Sequence, residues 1–274
     1  MCCEKLTSTT SIRLKMGGSM SRIVPGLYIG GVASAQSKSQ LEENGITHVC
    51  SVLHYNFKCP TRKQLLLRAD DDSKENIAKY FRDASFFIHG ARVYDGAVLV
   101  HCACGVSRSV TITLAYLMTI TNMPLPKLVR AVVGARPCAC PNSGFLEQLI
   151  EYGKSGAAAK VRRELIACYG EWPKEKMNAD IAVLTELLLK PEHTTCIGAS
   201  GGFTLPDDIT EYNDDDNGNN NQQGSLNNPL NQQNSQKNNM KPTSYTIYSN
   251  KPLHIQRILA ESEDNNPASS SSSV

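Results

Sequence analysis

Charge of one sign is what this chain most plainly lacks, and that absence narrows its partners first. The net charge is only +2 and the pI is about 8.0. A nucleic-acid-binding domain usually carries a basic stripe, and none is visible, so no nucleic-acid partner is expected. Long apolar runs are missing too. No stretch approaches the roughly 18 apolar residues of a bilayer-spanning helix. The first residues also lack the apolar core of a secretory signal. There is no internal repeat. The six histidines, His48, His54, His89, His101, His193 and His254, show no paired ligand spacing, so neither a metal nor an organic cofactor is expected.

Cysteine, by contrast, is plentiful, with ten in 274 residues. Without a signal segment these read as thiols of a reducing cytosol or nucleus rather than as a disulfide framework. Free thiols leave nucleophilic chemistry open.

Composition divides the chain into four parts. Residues 1–20 form a short polar leader. Residues 21–160 alternate strand-like and helix-like patterns and are expected to form the main folded domain. Strands are expected at Ile23 to Tyr28, ITHVCSVL (46–53), LLLRA (65–69) and 97–101. Helices are expected at IAKYFRDASFFIHGARV, over 109–122, and at LPKLVRAVVGA and SGFLEQLIEYGK. Ser73 or Asp72 is expected to cap the first of these. Alternation of this kind predicts an α/β fold, a central, mostly parallel sheet flanked by helices. Residues 161–210 read as a partly helical extension. There VRRELIACYGEWPKEK continues the last helix and ADIAVLTELLLK (179–190) forms a short isolated one. A chain cut after about Lys160 is therefore expected to stay folded. Residues 211–274 read as a largely disordered tail. Its first thirty residues hold 11 Asn and 5 Gln, too little apolar surface to offset ordering entropy.

The chemistry concentrates in "VLVHCACGVSRSV", residues 98–110. An apolar strand runs into a loop and then a helix, the place where open α/β sheets bind ligands and helix N-termini favour anions. A loop curled around one tetrahedral anion can aim successive backbone N–H groups inward. Gly105 tolerates the positive φ such a bend needs. Arg108 offers a planar fork for two oxygens. Cys102 lies beside that arginine and the helix start, and both favour its thiolate. A thiolate under a bound phosphate is an in-line nucleophile.

"HCACGVSRS" resembles the His-Cys-x-x-Gly-x-Ser-Arg-Ser signature of the cysteine-dependent dual-specificity protein phosphatases, and most of all the family's small, atypical members. The likeness extends from "IVPGLYIGG" to "PNSGFLEQL". It implies the protein tyrosine phosphatase-like fold and two-step hydrolysis through a cysteinyl-phosphate. Cys102 would be the nucleophile. Ala103, Cys104, Gly105, Val106, Ser107 and Arg108 would form the phosphate-binding loop, and Ser109 would hydrogen-bond the sulfur. The general acid would come from Asp70, Asp71 or Asp72; alignment of Asn76 favours Asp71, 31 residues before Cys102. His101 and Asn142 would support the site. Cys104 departs from the small or polar residue usual there and reads as a small side chain or a redox guard for Cys102; Cys138 and Cys140 pose the same question.

The loop's variable positions, Ala103, Cys104, Val106 and Ser107, carry no Lys or Arg. That suits one phosphate on a protein side chain better than a polyphosphorylated inositol lipid. Phosphoproteins are the implied partners, with mitogen-activated protein kinase pathway members among them. The leader's Met16-Gly17-Gly-Ser-Met-Ser fits the M-G-x-x-x-S myristoylation pattern, which operates only at a chain's start. Cytoplasmic or nuclear placement is expected, with weak membrane association if translation begins at Met16 and Gly17 is acylated.

Overall fold

The computed structural model describes residues 18–190. Met16, Gly17, His193, His254 and the Asn/Gln-rich tail lie outside the described residues.

Five strands form one sheet in the order β1 (Ser21–Val24), β2 (Leu27–Gly30), β5 (Ala97–His101), β3 (Ile46–Val52) and β4 (Lys63–Leu67). Only the β1–β2 pair is antiparallel. The mostly parallel α/β sheet is thus present. The single strand expected over Ile23 to Tyr28 is instead a hairpin. Pro25 and Gly26 occupy the middle of a tight turn, where proline presets one φ and Gly26 takes φ +72°. The fourth strand sits two residues earlier than expected. Arg68 and Ala69 leave the sheet because the Tyr80 hydroxyl donates to the Arg68 carbonyl at 2.6 Å and Arg108 Nη1 to the Ala69 carbonyl at 3.1 Å.

Side chains alternate across β5, and each face of the sheet takes its own layer. Leu99 joins Val49 of β3 beneath two short helices, α1 (Val32–Gln36) and α2 (Lys38–Glu43), which supply Ala35 and Leu41. Val98 and Val100 face the larger core under α3 (Phe81–Val93), α4 (Arg108–Ile120), α5 (Leu125–Ala135) and α6 (Ser143–Lys154). Every side chain of α4 is buried, so this helix is the pillar of the domain. The cap expected from Ser73 or Asp72 does not form. A 3₁₀ turn (Ala78–Tyr80) precedes α3, the Ala78 N–H donates to Gln148 Oε1 at 2.9 Å, and Asp72 accepts from the Lys74 N–H at 2.8 Å.

Beyond α6 the chain departs from expectation. VRRELIACYGEWPKEK does not lengthen α6: the helix stops at Ser155 and a separate one, α7 (Ala157–Tyr169), begins. ADIAVLTELLLK is neither short nor isolated, but the end of α8 (Lys174–Leu188). Val161, Leu165, Leu184 and Leu187 are buried in the main core. Arg162 reaches the open end of α4, donating to the carbonyls of Met118, Thr119 and Thr121. Lys176 does the same for α3 through the carbonyls of Arg92 and Val93. Arg92 and Asp180 form a buried ion pair at 2.6 Å, in which Arg92 also donates to the Tyr116 hydroxyl at 2.9 Å. The core therefore closes near residue 188, not near 160. None of the helices is long and apolar enough to cross a membrane, among the described residues.

Candidate active site

Strand β5 delivers His101 and Cys102 to the C-terminal end of the sheet, and α4 starts six residues after Cys102. The loop between them is curled as expected, with Gly105 at φ +72°. A side chain there would collide with the Gly30 carbonyl, which a Cβ would meet at 2.4 Å. The loop's outer side is tied down by neighbours. Val32 N–H donates to the Ala103 carbonyl at 3.0 Å, and Cys140 N–H to the Val106 carbonyl at 2.7 Å.

Cys102 is buried, with its sulfur held by the Gly105 N–H at 3.2 Å and the Ser109 hydroxyl at 3.4 Å. Burial alone would push the thiol up. The hydrogen bonds from the Ser109 side chain and the N–H groups of Ser109, Val106 and Gly105 outweigh it and hold the thiol below its ordinary range. A thiolate is stabilised where the loop can present it to an electrophile.

Arg108 is buried as the first residue of α4. Its Nη1 is committed to the Ala69 carbonyl, and its buried Nε has no hydrogen-bond partner. A buried N–H without a partner is costly, and an anion's oxygen in the loop would satisfy it. Ser107, the N-cap of α4, makes no side-chain capping hydrogen bond, and the first-turn N–H of Ser109 faces the Cys102 sulfur, so the helix start is turned toward the loop's interior.

The Ser107 hydroxyl is spent elsewhere: it donates to Asp71 Oδ1 at 2.6 Å. Asn142 Nδ2 donates to the same oxygen at 3.1 Å, and Asp71 Oδ2 lies 3.6 Å from Arg108 Nε. Asn142 also caps α6, accepting from the Phe145 N–H at 2.9 Å, and its own N–H reaches Ser107 Oγ at 3.3 Å. The other two acids point away. Asp70 pairs with exposed His54 at 3.6 Å, and Asp72 turns back to Lys74. Of the three, Asp71 is the one held across the loop.

His101 touches Ser51 and the Cys102 carbonyl, not the loop's open face. Cys104 is exposed and Cys138 and Cys140 are half-buried; the described cysteines form no disulfide. Among the described residues no group of His, Cys, Asp or Glu is arranged to hold a metal ion. One residue was not singled out from the sequence: buried Arg136, whose Nε donates to the Gly105 carbonyl at 2.6 Å and Nη2 to the Cys104 carbonyl at 3.1 Å. It braces the loop from behind, and only its place between a helix end and Pro137 set it apart in the sequence.

Comparison with known proteins agrees with this geometry. The family pattern "Dual specificity phosphatase, catalytic domain" matches residues 27–155. Dual specificity protein phosphatase 22 of Xenopus tropicalis is 41% identical over 160 residues, which cover 58% of this chain and 76% of that protein. Dual specificity protein phosphatase 15 of Mus musculus is 38% identical over 161 residues, covering 58% and 67%. The crystal structure of DUSP15 superposes with a TM-score of 0.55 at 36% identity, covering 57% of this chain and all of that one. Sequence signature, sheet order and relatives thus converge, and the chain belongs to the dual specificity protein phosphatases.

Proposed function

We propose that Cys102 is the nucleophile of this phosphatase, Arg108 and the backbone of residues 103–108 its phosphate cradle, and Asp71 its general acid. The Cys102 thiolate attacks phosphorus, the P–O bond to the substrate breaks, and Asp71 gives its proton to the departing oxygen. Asp71, now a carboxylate, takes a proton from water as that water attacks the cysteinyl-phosphate and frees the thiolate. Ser109 donates to the leaving sulfur in this second step. The observation that carries the assignment is the convergence of Gly105 and Ser109 donors on one buried sulfur, with Asp71 pinned over the same loop by Ser107 and Asn142.

The substrates are phosphotyrosine and phosphoserine or phosphothreonine on proteins, mitogen-activated protein kinase pathway members among them. The uncharged positions Ala103, Cys104, Val106 and Ser107 support a ligand with a single phosphate. The location we propose is the cytoplasm, with the nucleus as the alternative. Membrane attachment through Gly17 would need a chain that starts at Met16, and a single acyl chain would hold it only weakly.

Asp71→Ala tests the acid. The expected kcat/KM on phosphopeptides, which reports the step that forms the cysteinyl-phosphate, falls by roughly 10²–10⁴, the usual worth of general acid catalysis. On para-nitrophenyl phosphate, whose leaving group needs no proton, the loss in kcat/KM should be far smaller. An equal loss on both substrates, or this leaving-group dependence in Asp70→Ala or Asp72→Ala instead, would refute the assignment.

A further inference from the structure

Behind the loop runs a second polar chain that the reaction does not use directly. His101 is fully buried at the end of β5, in register with Ser51 of β3. Its Nδ1 lies 3.2 Å from the Cys102 carbonyl and its Nε2 lies 2.7 Å from Ser51 Oγ. Gln64 of β4 donates from Nε2 to Ser51 Oγ at 3.0 Å and to the Phe57 carbonyl at 2.8 Å. Gln64 Oε1 accepts from the Cys59 N–H at 2.9 Å. The Phe57 ring also stands edge-on to His101, with centroids 4.8 Å apart.

Donors and acceptors in this chain admit a single order. A backbone carbonyl only accepts and a backbone N–H only donates, so Phe57 and Cys59 decide which end of the Gln64 amide is nitrogen. That nitrogen faces Ser51 and fills one lone pair of the hydroxyl; at the other end the Cys102 carbonyl can only accept, so it takes the ring proton from Nδ1 and the Ser51 proton goes to Nε2. Nε2 then accepts, and the ring's own proton must sit on Nδ1, where it meets the Cys102 carbonyl. Burial, opposed by the bond to that carbonyl, brings His101 down to about 4, so the neutral ring has one proton to place. The hydrogen-bond and ring partners of His101 are Ser51, the Cys102 carbonyl and Phe57, none of them charged. The charged groups at the loop itself are Arg108 of α4, Asp71 of the segment after β4, and Arg136 at the end of α5.

We propose that Gln64 is a positioning residue for the nucleophile: by orienting the Ser51 hydroxyl to donate to Nε2, it stabilises the Nδ1–H form of His101, which anchors the Cys102 backbone and aims its sulfur at the loop's donors. The 57–59 segment that orients Gln64 thereby joins the catalytic machinery without touching the phosphate. This rests on Cys102 being the nucleophile.

A double-mutant cycle on the full chain tests it, read by ¹⁵N NMR of the His101 ring and by kcat/KM against pH for para-nitrophenyl phosphate. Gln64→Glu replaces the donor by an acceptor, so the Ser51 proton turns away and His101 must donate from Nε2. The expected result is loss of the Nδ1–H signature and a drop in kcat/KM of about tenfold, equivalent to about 1.4 kcal/mol, with the acid limb of the profile displaced. In a Ser51→Ala background the same substitution should change kcat/KM by less than about twofold, as residues linked in one chain are non-additive. An unaltered tautomer in Gln64→Glu, or an equal effect with and without Ser51, would overturn the proposal. Should Gln64→Glu not fold, Gln64→Met removes the N–H without adding charge. It should give a mixture of both tautomers, and a pure Nδ1–H ring would overturn the idea. Cys102→Ser, assayed alongside, separates the two claims: turnover by that variant ends the nucleophile assignment, whereas the tautomers are read without turnover.

Discussion

Cutting the chain after Lys160 is expected to unfold the catalytic domain rather than trim it, although the family pattern ends at residue 155. The cut removes Val161, Leu165, Leu184 and Leu187 from the core. At roughly 1.5–3 kcal/mol per fully buried aliphatic side chain, their loss alone matches the whole stability of an ordinary domain. It also removes Asp180 and the Trp172 ring, the ion-pair partner and the cover of Arg92. The carbonyls at the ends of α3 and α4 lose Lys176 and Arg162 at the same time. Thermal or urea unfolding of chains ending at Lys160 and at Lys190 reads the difference. The longer chain should unfold cooperatively and the shorter should show no transition. A cooperative, active 1–160 fragment would contradict the packing described.

Arg108→Lys should lower kcat/KM by at least about 2 kcal/mol, the scale of one lost transition-state hydrogen-bond donor. Lysine keeps the charge but not the planar fork. In the wild type that fork spends Nη1 on Ala69 while Nε makes no hydrogen bond and faces Asp71 Oδ2 at 3.6 Å, so one rigid group can serve both the segment bearing Asp71 and the phosphate. An ammonium cannot do both from one position. Circular dichroism should stay unchanged, because the loop is held independently by Arg136, Val32 and Cys140. A variant with near-wild-type kcat/KM would mean that Arg108 does not hold the phosphate.

Much of this site could be read from the chain because its parts are local. The strand, the loop and α4 follow one another without interruption, and Pro124 and Asn142 mark the starts of α5 and α6. Apolar periodicity could not reveal partners far away in sequence. Arg92 and Asp180 are 88 residues apart, and nothing near either one announces the other. The same holds for the partner of the Ala78 N–H at the 3₁₀ turn before α3, supplied by Gln148 from 70 residues on, and for Arg136 behind Gly105. The Pro25–Gly26 hairpin was hidden in a run of apolar residues on both sides of the turn. Asp71 is an intermediate case. Alignment favoured it over its neighbours, and the distinction became physical only with Ser107 and Asn142 bonded to the same carboxylate oxygen.

The most direct measurement follows the phosphate itself. Rapid quenching of Asp71→Ala with para-nitrophenyl phosphate, followed by peptide mass mapping, catches the intermediate, because attack proceeds with this leaving group while the water step lacks its base. The expected result is one phosphate per chain on the peptide containing Cys102, formed within the first turnover and absent from Asp71→Ala/Cys102→Ser. Steady release of nitrophenol with no phosphate on Cys102, or equal release by wild type and Cys102→Ser, would contradict the account.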